Sequence, residues 1–562
     1  MMILMLKKYL NDSKRFDIAY LLIISILVLI TRLPFTSKYL SEWDSVDFAL
    51  GFEKYDIINQ QPHPPGYILY IGLGKAINWI FHDANFTMIF ISIILSILTV
   101  ILVYFLAKQI FSRNIALIAS ILLIFNPIFW YYGEIATVYL CEAFFATLIF
   151  YLSYQVFKGN NNYLYVSVIA LGLAGGFRQD LIIFMLPILV YCLFYHDRSI
   201  KRIIKVIAVL IPSILIWFIP TILLTGGYNS YSIASQSITN SFKTTSILFG
   251  APVLNYVLND VMLFSWLFLG LGIIGSFFII AFILTNRKNI LNLKLLSNQK
   301  FILLFLWIFP MFLFQILIHS PKPGYMLVYT SAIVLILAYI FKYFSCLISK
   351  KVNLSSKSIL AILIAVYVLI NSVYFIYPYD LHSEITWETS IGDMNQTQKI
   401  TLGLDMLFMY NYDEIYTNDR NMNLTLNAIA NISRPENSII VIRDILREDK
   451  GFSWRKAMYY IPEYNTYYIL DDGDSQFKST KTGGNTLITQ ANNHTIAKIT
   501  NSEIPLNYST ERIIWVMSDK TEFFKEVGSE TKINCISLPN GLKIYYSNIQ
   551  NGKIKNSNYF KV

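Results

Sequence analysis

The sequence predicts a mainly α-helical, polytopic membrane protein: a transmembrane helical bundle of about eleven spans, followed by a C-terminal external α/β domain. Three observations predict this fold class. The 562-residue chain is 55% hydrophobic and only 14% charged, whereas soluble chains average roughly 25% charged residues. Its mean hydropathy is +0.50. Its long apolar runs end near residue 378, and an Asn-rich, charged tail follows.

The basic balance of the chain indicates membrane topology rather than nucleic-acid binding. The net charge is +10, but the lysines and arginines cluster in short segments between apolar runs, so no nucleic-acid partner is predicted. The four cysteines have the spacing of neither a disulfide framework nor a metal cluster. No small-residue cleavage site follows the first apolar run, which is expected to remain as a signal anchor.

The apolar runs predict the spans, because crossing a bilayer takes about 20 residues. The loops assigned to the inside hold 18 lysines and arginines against six outside, which predicts a cytoplasmic N-terminus and an external C-terminal domain. Residues 66–82, interrupted by Gly72, Gly74 and Lys75, predict a helix in the interface. The predicted spans are 18–35, 86–107, 115–132, 136–157, 163–177, 181–195, 203–224, 261–284, 301–318, 325–343 and 359–378.

Two domains are predicted. Residues 1–378 form the transmembrane module, whose first external loop, 36–85, contains interfacial helices, and residues 379–562 form the external soluble α/β domain. Runs of apolar and β-branched residues predict strands in that domain. The predicted strands are 438–442, 467–470, 512–516 and 542–546, with helices around 421–430 and 454–460.

The candidate chemistry lies in polar residues gathered on the predicted outer face. Ionisable groups at a membrane are costly unless they are paired or functional, so these residues predict a single site. The alternatives are ordinary: the acids could solvate or cap a helix, Arg178 and Asp180 could satisfy each other, and Lys322 could extend its ammonium to the interface. The residues are Glu42, Asp44, Asp47, Glu53 and Asp56 before His63-Pro-Pro-Gly-Tyr67, then Glu134, Arg178-Gln179-Asp180 and His319-Ser-Pro-Lys322-Pro-Gly-Tyr325.

The order of these motifs, with Trp130-Tyr-Tyr-Gly-Glu134 leading to Tyr139, resembles the GT-C superfamily. These are membrane glycosyltransferases that use polyprenyl-phosphate sugars and include protein O-mannosyltransferases and lipid A aminoarabinose transferases. The resemblance covers about residues 18–380, is strongest over 42–180, and is closest to the O-mannosyltransferase-related branch. It implies an inverting transfer, on the external face, from a polyprenyl-phosphate-linked sugar to an acceptor hydroxyl on protein, lipid or glycan.

The resemblance also implies roles for particular residues. The family's catalytic base is an Asp at the start of the first external loop, which here is Asp44. Many members have adjacent Asp-Glu there, whereas this chain has Asp44-Ser-Val-Asp47, so Asp47 is the alternative base. A divalent cation, Mg²⁺ or Mn²⁺, could lie between Asp44 and Glu134, but no metal ligand set is defined by spacing. The expected substrate-binding residues are Glu42, His63, Tyr67, Glu134, Tyr139, Arg178, Gln179, His319, Lys322 and Tyr325, of which Arg178, Lys322 and His319 would hold the phosphate.

Three other functions remain as alternatives. A lipid-linked glycan flippase or transporter predicts broken helices near the bilayer midplane and repeated halves. A lipid-linked polysaccharide polymerase would share the carrier and the external face. A receptor or scaffold would leave the outer-face charges without a purpose. The Asn, Ile and Lys richness and the lack of sorting signals predict a prokaryotic plasma membrane, with membrane lipid as a further partner.

Overall fold

The computed structural model describes residues 2–287, 298–319, 322–377, 387–391, 394–398, 410–442, 452–470, 487–492, 495–498, 504–517, 519, 522–549 and 560–561. The chain forms two compact units. The helical unit comprises Met1–Thr36 and Pro64–Glu414, and the sheet unit comprises Ser37–His63 and Ile415–Val562. The first polar loop therefore belongs to the same unit as the C-terminal part of the chain. The predicted boundary at residues 378 and 379, and Ser320-Pro321 of the predicted site, lie outside the described residues.

The described part of the chain is mostly helical up to residue 376. Eight helical segments in the described part of the chain are long and apolar enough to cross a membrane, and these segments begin at residues 15, 84, 139, 200, 253, 299, 323 and 356. The helices are α1 (Met2–Arg32), α2 (Trp43–Glu53), α3 (Ile68–Phe81), α4 (Ala84–Ile110), α5 (Arg113–Ile124), α6 (Pro127–Tyr131), α7 (Tyr139–Phe157), α8 (Tyr163–Phe177), α9 (Asp180–Phe194), α10 (Ile200–Leu224), α11 (Tyr228–Thr245), α12 (Val253–Thr285), α13 (Gln299–Leu317), α14 (Leu327–Ser349) and α15 (Ser356–Ile376).

Three predicted spans coincide with shorter helices. The segment 115–132 forms two helices, α5 and α6, because the Asn126 side chain accepts the amide proton of Phe129 and Pro127 follows as the first residue of the new helix. The segments 163–177 and 181–195 form α8 and α9, of 15 residues each. The helical fold class is confirmed, with eight helices of spanning length where about eleven spans were predicted.

Small residues allow α8 to approach α10 closely. A Cβ on Gly172 would lie 2.4 Å from that of Ser213, and a Cβ on Gly176 would lie 2.8 Å from Cγ of Trp217. The Trp217 indole of α10 donates to the carbonyl of Gly172 at 2.8 Å. Close packing through small residues is typical of helices in membranes. It fixes the C-terminal end of α8, where Arg178 follows.

Helix α12 is interrupted at Gly272, whose φ of 70° lies in the left-handed region that favours glycine. A Cβ there would lie 2.6 Å from the side-chain oxygen of Asn371. The amide of Asn371 donates to the carbonyl of Phe125 at 3.0 Å, and the amide of Asn126 donates to the carbonyl of Gly270. The Asn126 amide thus satisfies a carbonyl group two residues before the break, and the Asn371 amide satisfies the carbonyl at the end of α5.

The sheet unit contains a seven-stranded mixed sheet. Its strand order is β6-β5-β4-β3-β8-β10-β9, with β3 parallel to both β4 and β8 and the other pairs antiparallel. The strands and helices beyond α15 are β1 (Trp387–Ile391), β2 (Met394–Gln398), α16 (Tyr412–Ile432), β3 (Ser438–Ile442), α17 (Trp454–Tyr460), β4 (Asn465–Leu470), β5 (Leu487–Asn492), β6 (Thr495–Lys498), β7 (Ile504–Pro505), β8 (Arg512–Val516), α18 (Glu522–Glu530), β9 (Ile533–Ser537), β10 (Lys543–Asn548) and β11 (Phe560–Lys561).

The central strand β3 is buried at all five positions, as expected for a strand covered on both faces. Trp515 of β8 is also fully buried, and its indole donates to the hydroxyl of Ser547 at 3.0 Å. These strands form the rigid core of the sheet unit. The small α/β unit predicted from the sequence is confirmed, and its external location stays a prediction.

Candidate functional site

The first-loop acids lie on α2 of the sheet unit. Asp44 is in its first turn, where the positive end of the helix dipole favours a carboxylate. Asp47 follows three residues later and therefore lies on the same face. Their environments differ, because the Asp44 side chain is 26% exposed and that of Asp47 is 0% exposed. Glu42 immediately precedes the helix and is half-buried.

His63 joins the two aspartates. Its Nδ1 lies 3.5 Å from a carboxylate oxygen of Asp47 and 4.0 Å from one of Asp44. One ligand atom from each of the three side chains lies within 4.8 Å of the others, so the cluster has donors suited to a divalent cation. Glu134 is not part of this group, which is the only one found among the described residues.

The buried aspartate also contacts an arginine from α17. Arg455 Nε lies 3.1 Å from Asp47 Oδ1, and the arginine side chain is 1% exposed. Burial raises the pKa of Asp47, and His63 and Arg455 oppose that rise. The sequence analysis did not assign Arg455 to the site. The signal available was an arginine within the aromatic segment Trp454-Arg-Lys-Ala-Met-Tyr-Tyr460.

A second cluster, in the helical unit, surrounds Arg178. The guanidinium lies between the end of α8 and the start of α9, is 5% exposed, and pairs with Glu142 at 2.7 Å and with Asp180 at 2.8 Å. Three tyrosine rings face it, with centroids 4.6 to 5.9 Å from Cζ. They are Tyr67, Tyr139 and Tyr325.

Local backbone geometry brings these rings together. Tyr67 precedes α3 in the left-handed region, with φ of 43°. Gly324 lies against the ring of Tyr139, where an added Cβ would be 2.5 Å from Cγ, so only glycine fits. The amide of Gln179 donates to the carbonyl of Pro65 at 3.3 Å and to the hydroxyl of Tyr231 at 3.1 Å. The structure thus joins four predicted binding residues, Tyr67, Tyr139, Arg178 and Tyr325.

The charge of Arg178 is offset within this cluster. Burial by itself would lower the pKa of Arg178, but Asp180 and Glu142 raise it well above its usual value, so the guanidinium stays charged. One arginine faces two carboxylates, which leaves little positive charge to attract a phosphate. Glu142 was missed by the sequence analysis. A single acid inside the apolar run of α7 was the signal that could have found it.

The remaining predicted residues lie elsewhere in the helical unit. Glu134 is fully buried beside Arg32 and accepts a hydrogen bond of 2.5 Å from the Trp130 indole. Lys322 precedes the short 3₁₀ helix Pro323–Met326 and is half-buried. Burial lowers the pKa of His319 to about 4, so its ring is neutral at pH 7 and adds no positive charge for a phosphate.

The fold and the two charged clusters can be compared with those of a known class of membrane protein. A bundle of spanning helices joined to a small α/β unit, with paired aspartates after the first helix, is the architecture that the GT-C resemblance implied. Residues 62–224 match the family described as dolichyl-phosphate-mannose-protein mannosyltransferase.

Two solved structures share the fold. Both are of ArnT from Cupriavidus metallidurans and cover 96% of this chain and 98% of their own. The apo state matches with a TM-score of 0.54 at 11% identity, and the form bound to undecaprenyl phosphate with 0.51 at 12%. No curated protein sequence matches the chain. The chain therefore shares the fold of these ArnT structures, and the predicted GT-C fold is confirmed.

Proposed function

We propose that this protein is an inverting glycosyltransferase that moves a sugar from a polyprenyl-phosphate donor to an acceptor hydroxyl on the external face of the membrane. The observation that carries the proposal is the partly exposed Asp44 carboxylate beside His63 and the buried Asp47. The match of residues 62–224 to a mannosyltransferase family supports the activity. The likeness to ArnT bound to undecaprenyl phosphate supports a lipid-phosphate donor.

Asp44 is the better candidate for the base. A general base must come within hydrogen-bond reach of the proton it removes. Asp47 is fully buried and already held by Arg455 and His63, so an acceptor cannot approach it without displacing them. The Asp44 side chain is 26% exposed, so an acceptor can reach it, and its contact with His63 is the longer one, at 4.0 Å. We therefore assign proton acceptance to Asp44 and a supporting role to Asp47.

The proposed step is a single displacement. The acceptor oxygen attacks the anomeric carbon from the face opposite the phosphate, and its proton passes to Asp44. The bond from the anomeric carbon to the phosphate oxygen breaks, and the polyprenyl phosphate leaves with the electron pair. One displacement inverts the anomeric configuration. Cationic groups that stabilise the departing phosphate lower the barrier.

Lys322 is the proposed phosphate ligand. Its ammonium is a compact point charge in a loop constrained by the prolines on either side. Arg178, whose charge is offset by Glu142 and Asp180, is instead proposed to hold Tyr67, Tyr139 and Tyr325 in place for the donor. A divalent cation on Asp44, Asp47 and His63 would supply further charge neutralisation for the phosphate; those donors fit such an ion.

The activity is tested with purified protein, a labelled polyprenyl-phosphate sugar, and protein, lipid and glycan acceptors. Asp44→Asn should lower kcat about 10²- to 10⁴-fold. Lys322→Ala should lower kcat/KM for the donor about 10- to 100-fold, the worth of a charge-assisted hydrogen bond. Glu53→Gln, at an exposed position on the same helix α2, is the matched control and should leave both constants unchanged. Undiminished transfer in both site variants would reject the assignment.

The break in α12 at Gly272 is the one observation that favours transport. Liposomes carrying the purified protein separate the two functions. Movement of the labelled donor between leaflets, without sugar transfer or donor hydrolysis, would favour the flippase. A product of many added sugars would instead favour a polysaccharide polymerase.

The external location can be tested with the native cysteines. Cys535 in the sheet unit and Cys346 near the end of α14 are exposed, whereas Cys141 and Cys192 are buried. A membrane-impermeant maleimide on intact cells should label Cys535 and spare Cys346 until the cells are opened. Labelling of Cys346 alone in intact cells would reverse the proposed topology.

A further inference from the structure

We propose that Arg455 is a positioning residue: it holds the first loop in the one arrangement that presents Asp44 to the acceptor. The inference rests on the proposed function, since it takes Asp44 as the base. It assigns the sheet unit a part in the chemistry, because Arg455 lies on α17, which belongs to that unit.

Arg455 contacts two separate segments of the loop Ser37–His63. Its Nε pairs with Asp47 on α2 at 3.1 Å. Its Nη2 donates to the carbonyls of Asn59 at 2.6 Å and Gln60 at 3.3 Å. One planar side chain therefore joins the acid-bearing helix to the segment that leads to His63.

Aromatic rings enclose the same guanidinium. Its Cζ lies 4.8 Å from the ring centroid of Trp454 and 5.9 Å from that of Trp43. The two indoles also pack edge to face, 5.4 Å apart. Stacking and fork-like donation are what an arginine offers and a lysine does not. The site is built for a guanidinium, rather than for any positive charge.

The contact reaches Asp44 through two intermediates. Arg455 holds one oxygen of Asp47, and the other oxygen of Asp47 lies 3.5 Å from Nδ1 of His63. That nitrogen lies 4.0 Å from Asp44. Because Asp47 is buried, its orientation depends on Arg455 and His63. Loss of the guanidinium frees Asp47, and the position of His63 and Asp44 then becomes less defined.

Other contacts anchor the start of the loop independently of Arg455. The Asp419 carboxylate accepts the amide protons of Lys38 at 2.8 Å and Tyr39 at 3.1 Å. The Tyr460 hydroxyl accepts that of Leu40 at 2.8 Å. The loop should therefore stay attached to the sheet unit when Arg455 is replaced, so the variant tests positioning rather than attachment.

The experiment compares Arg455→Met, Arg455→Lys, Asp47→Asn and the double variant Arg455→Met/Asp47→Asn in the full chain. Arg512→Met is the matched control, since Arg512 also lies over an aromatic ring in the sheet unit, with its Cζ 5.7 Å from the ring centroid of Tyr546. Two readouts are taken: kcat and donor KM in the transfer assay, and hydrogen exchange of peptides covering residues 41–61.

Arg455→Met should lower kcat about 10²-fold, the cost of misplacing a reacting group by about 1 Å, with donor KM within about threefold of wild type. Exchange over 41–61 should become faster while β3 and β8 stay protected. Arg455→Lys should give an intermediate kcat. The double variant should match Asp47→Asn, because Arg455 acts through that carboxylate.

Wild-type kcat and unchanged exchange in Arg455→Met would overturn the proposal, as would additive losses in the double variant. If Arg455→Met does not fold, Arg455→Lys decides: full kcat in that variant overturns the proposal, and a partial loss with faster exchange supports it. Exchange needs no substrate. If the wild-type protein transfers no sugar, the proposed function is rejected. Hydrogen exchange of residues 41–61 still tests whether Arg455 holds the first loop in place.

Discussion

The two charged clusters place a buried arginine in opposite situations. In the sheet unit, Arg455 contacts one buried carboxylate, Asp47, and a second carboxylate, Asp44, keeps exposed surface. In the helical unit, Arg178 contacts two carboxylates, Glu142 and Asp180, and tyrosine rings cover the guanidinium. In the first arrangement the carboxylate of Asp44 remains partly exposed, as the proposed base must be. In the second arrangement two carboxylates offset the positive charge of Arg178, and tyrosine rings, two of them buried, cover the guanidinium.

The role of a charged residue in a site depends on its partners as well as on its residue type. Both arginines were equally available to bind phosphate as far as residue type goes. Their existing carboxylate partners make phosphate binding unfavourable, because breaking a buried ion pair to bind a new anion costs about 3 to 5 kcal/mol. The carboxylate of Asp44, by contrast, is partly exposed and therefore accessible to an acceptor.

The largest expected effect separates the two aspartates. Asp44→Asn should lower kcat about 10²- to 10⁴-fold with the melting temperature within a few degrees of wild type, since that side chain is partly exposed. Asp47→Asn should lower the melting temperature clearly, because it leaves Arg455 buried without its carboxylate. Thermal melts in detergent beside the transfer assay check both. A stable Asp47→Asn with full loss of kcat would reverse the two roles.

In the Arg178 cluster, substitution is expected to affect stability first. Arg178→Met leaves Glu142 and Asp180 facing each other and should lower the free energy of unfolding by about 3 to 5 kcal/mol. Adding Glu142→Gln removes one buried charge and should recover part of that loss. Thermal melts of the single and double variants measure the recovery. A double variant less stable than Arg178→Met would show that the carboxylates do not depend on the arginine.

The pH dependence of stability tests whether the His319 ring is neutral in the folded protein. The folded-state pKa of His319 is lowered from 6.5 to about 4. The unfolded state therefore binds its proton first, and stability present above pH 6.5 is lost as the pH falls towards 4, by up to about 3 kcal/mol. His319→Gln should lose less stability over this interval in melts run from pH 7.5 to 4. Equal losses in both proteins would indicate that His319 is charged in the folded state.

The smallest expected effect concerns the loop that carries Lys322. Gly324→Ala places a methyl group against the Tyr139 ring and should cost about 1 to 3 kcal/mol, the usual cost of overpacking. Because Tyr139 faces Arg178, donor KM should rise while the pH dependence of kcat is unchanged. Gly72→Ala, where nothing lies within 4 Å of the added Cβ, is the control. Equal effects of the two alanines would remove the link between this loop and the Arg178 cluster.

Much of the fold could be predicted because its signals are local. The strands 438–442 and 512–516 coincide with apolar, β-branched runs, and the helix 454–460 with its predicted bounds. Most spans could be located from hydropathy alone. The segment 115–132 was predicted as one span, although Asn126-Pro127, a capping residue followed by a proline, is the local signal for a new helix.

The candidate site was predictable only in part, because pairing between distant residues leaves no periodic signal. Motif order identified Tyr67, Tyr139, Arg178 and Tyr325, which the structure joins. It did not identify Glu142, hidden in an apolar helix, or Arg455, which follows Asp47 by some 400 positions. Which of Asp44 and Asp47 is exposed also depends on that remote arginine, so the two could not be distinguished from their spacing.

The separation between Asn59 and Arg455, 396 residues along the chain, has a consequence for biogenesis. The ribosome releases the acidic loop long before Asp419 or Arg455 exists, so most of translation passes with that loop lacking its eventual partners. Final assembly waits until Arg455 has been synthesised. Newly made chains should therefore stay inactive until then, and nonsense mutations that remove Arg455 should be as damaging as early ones.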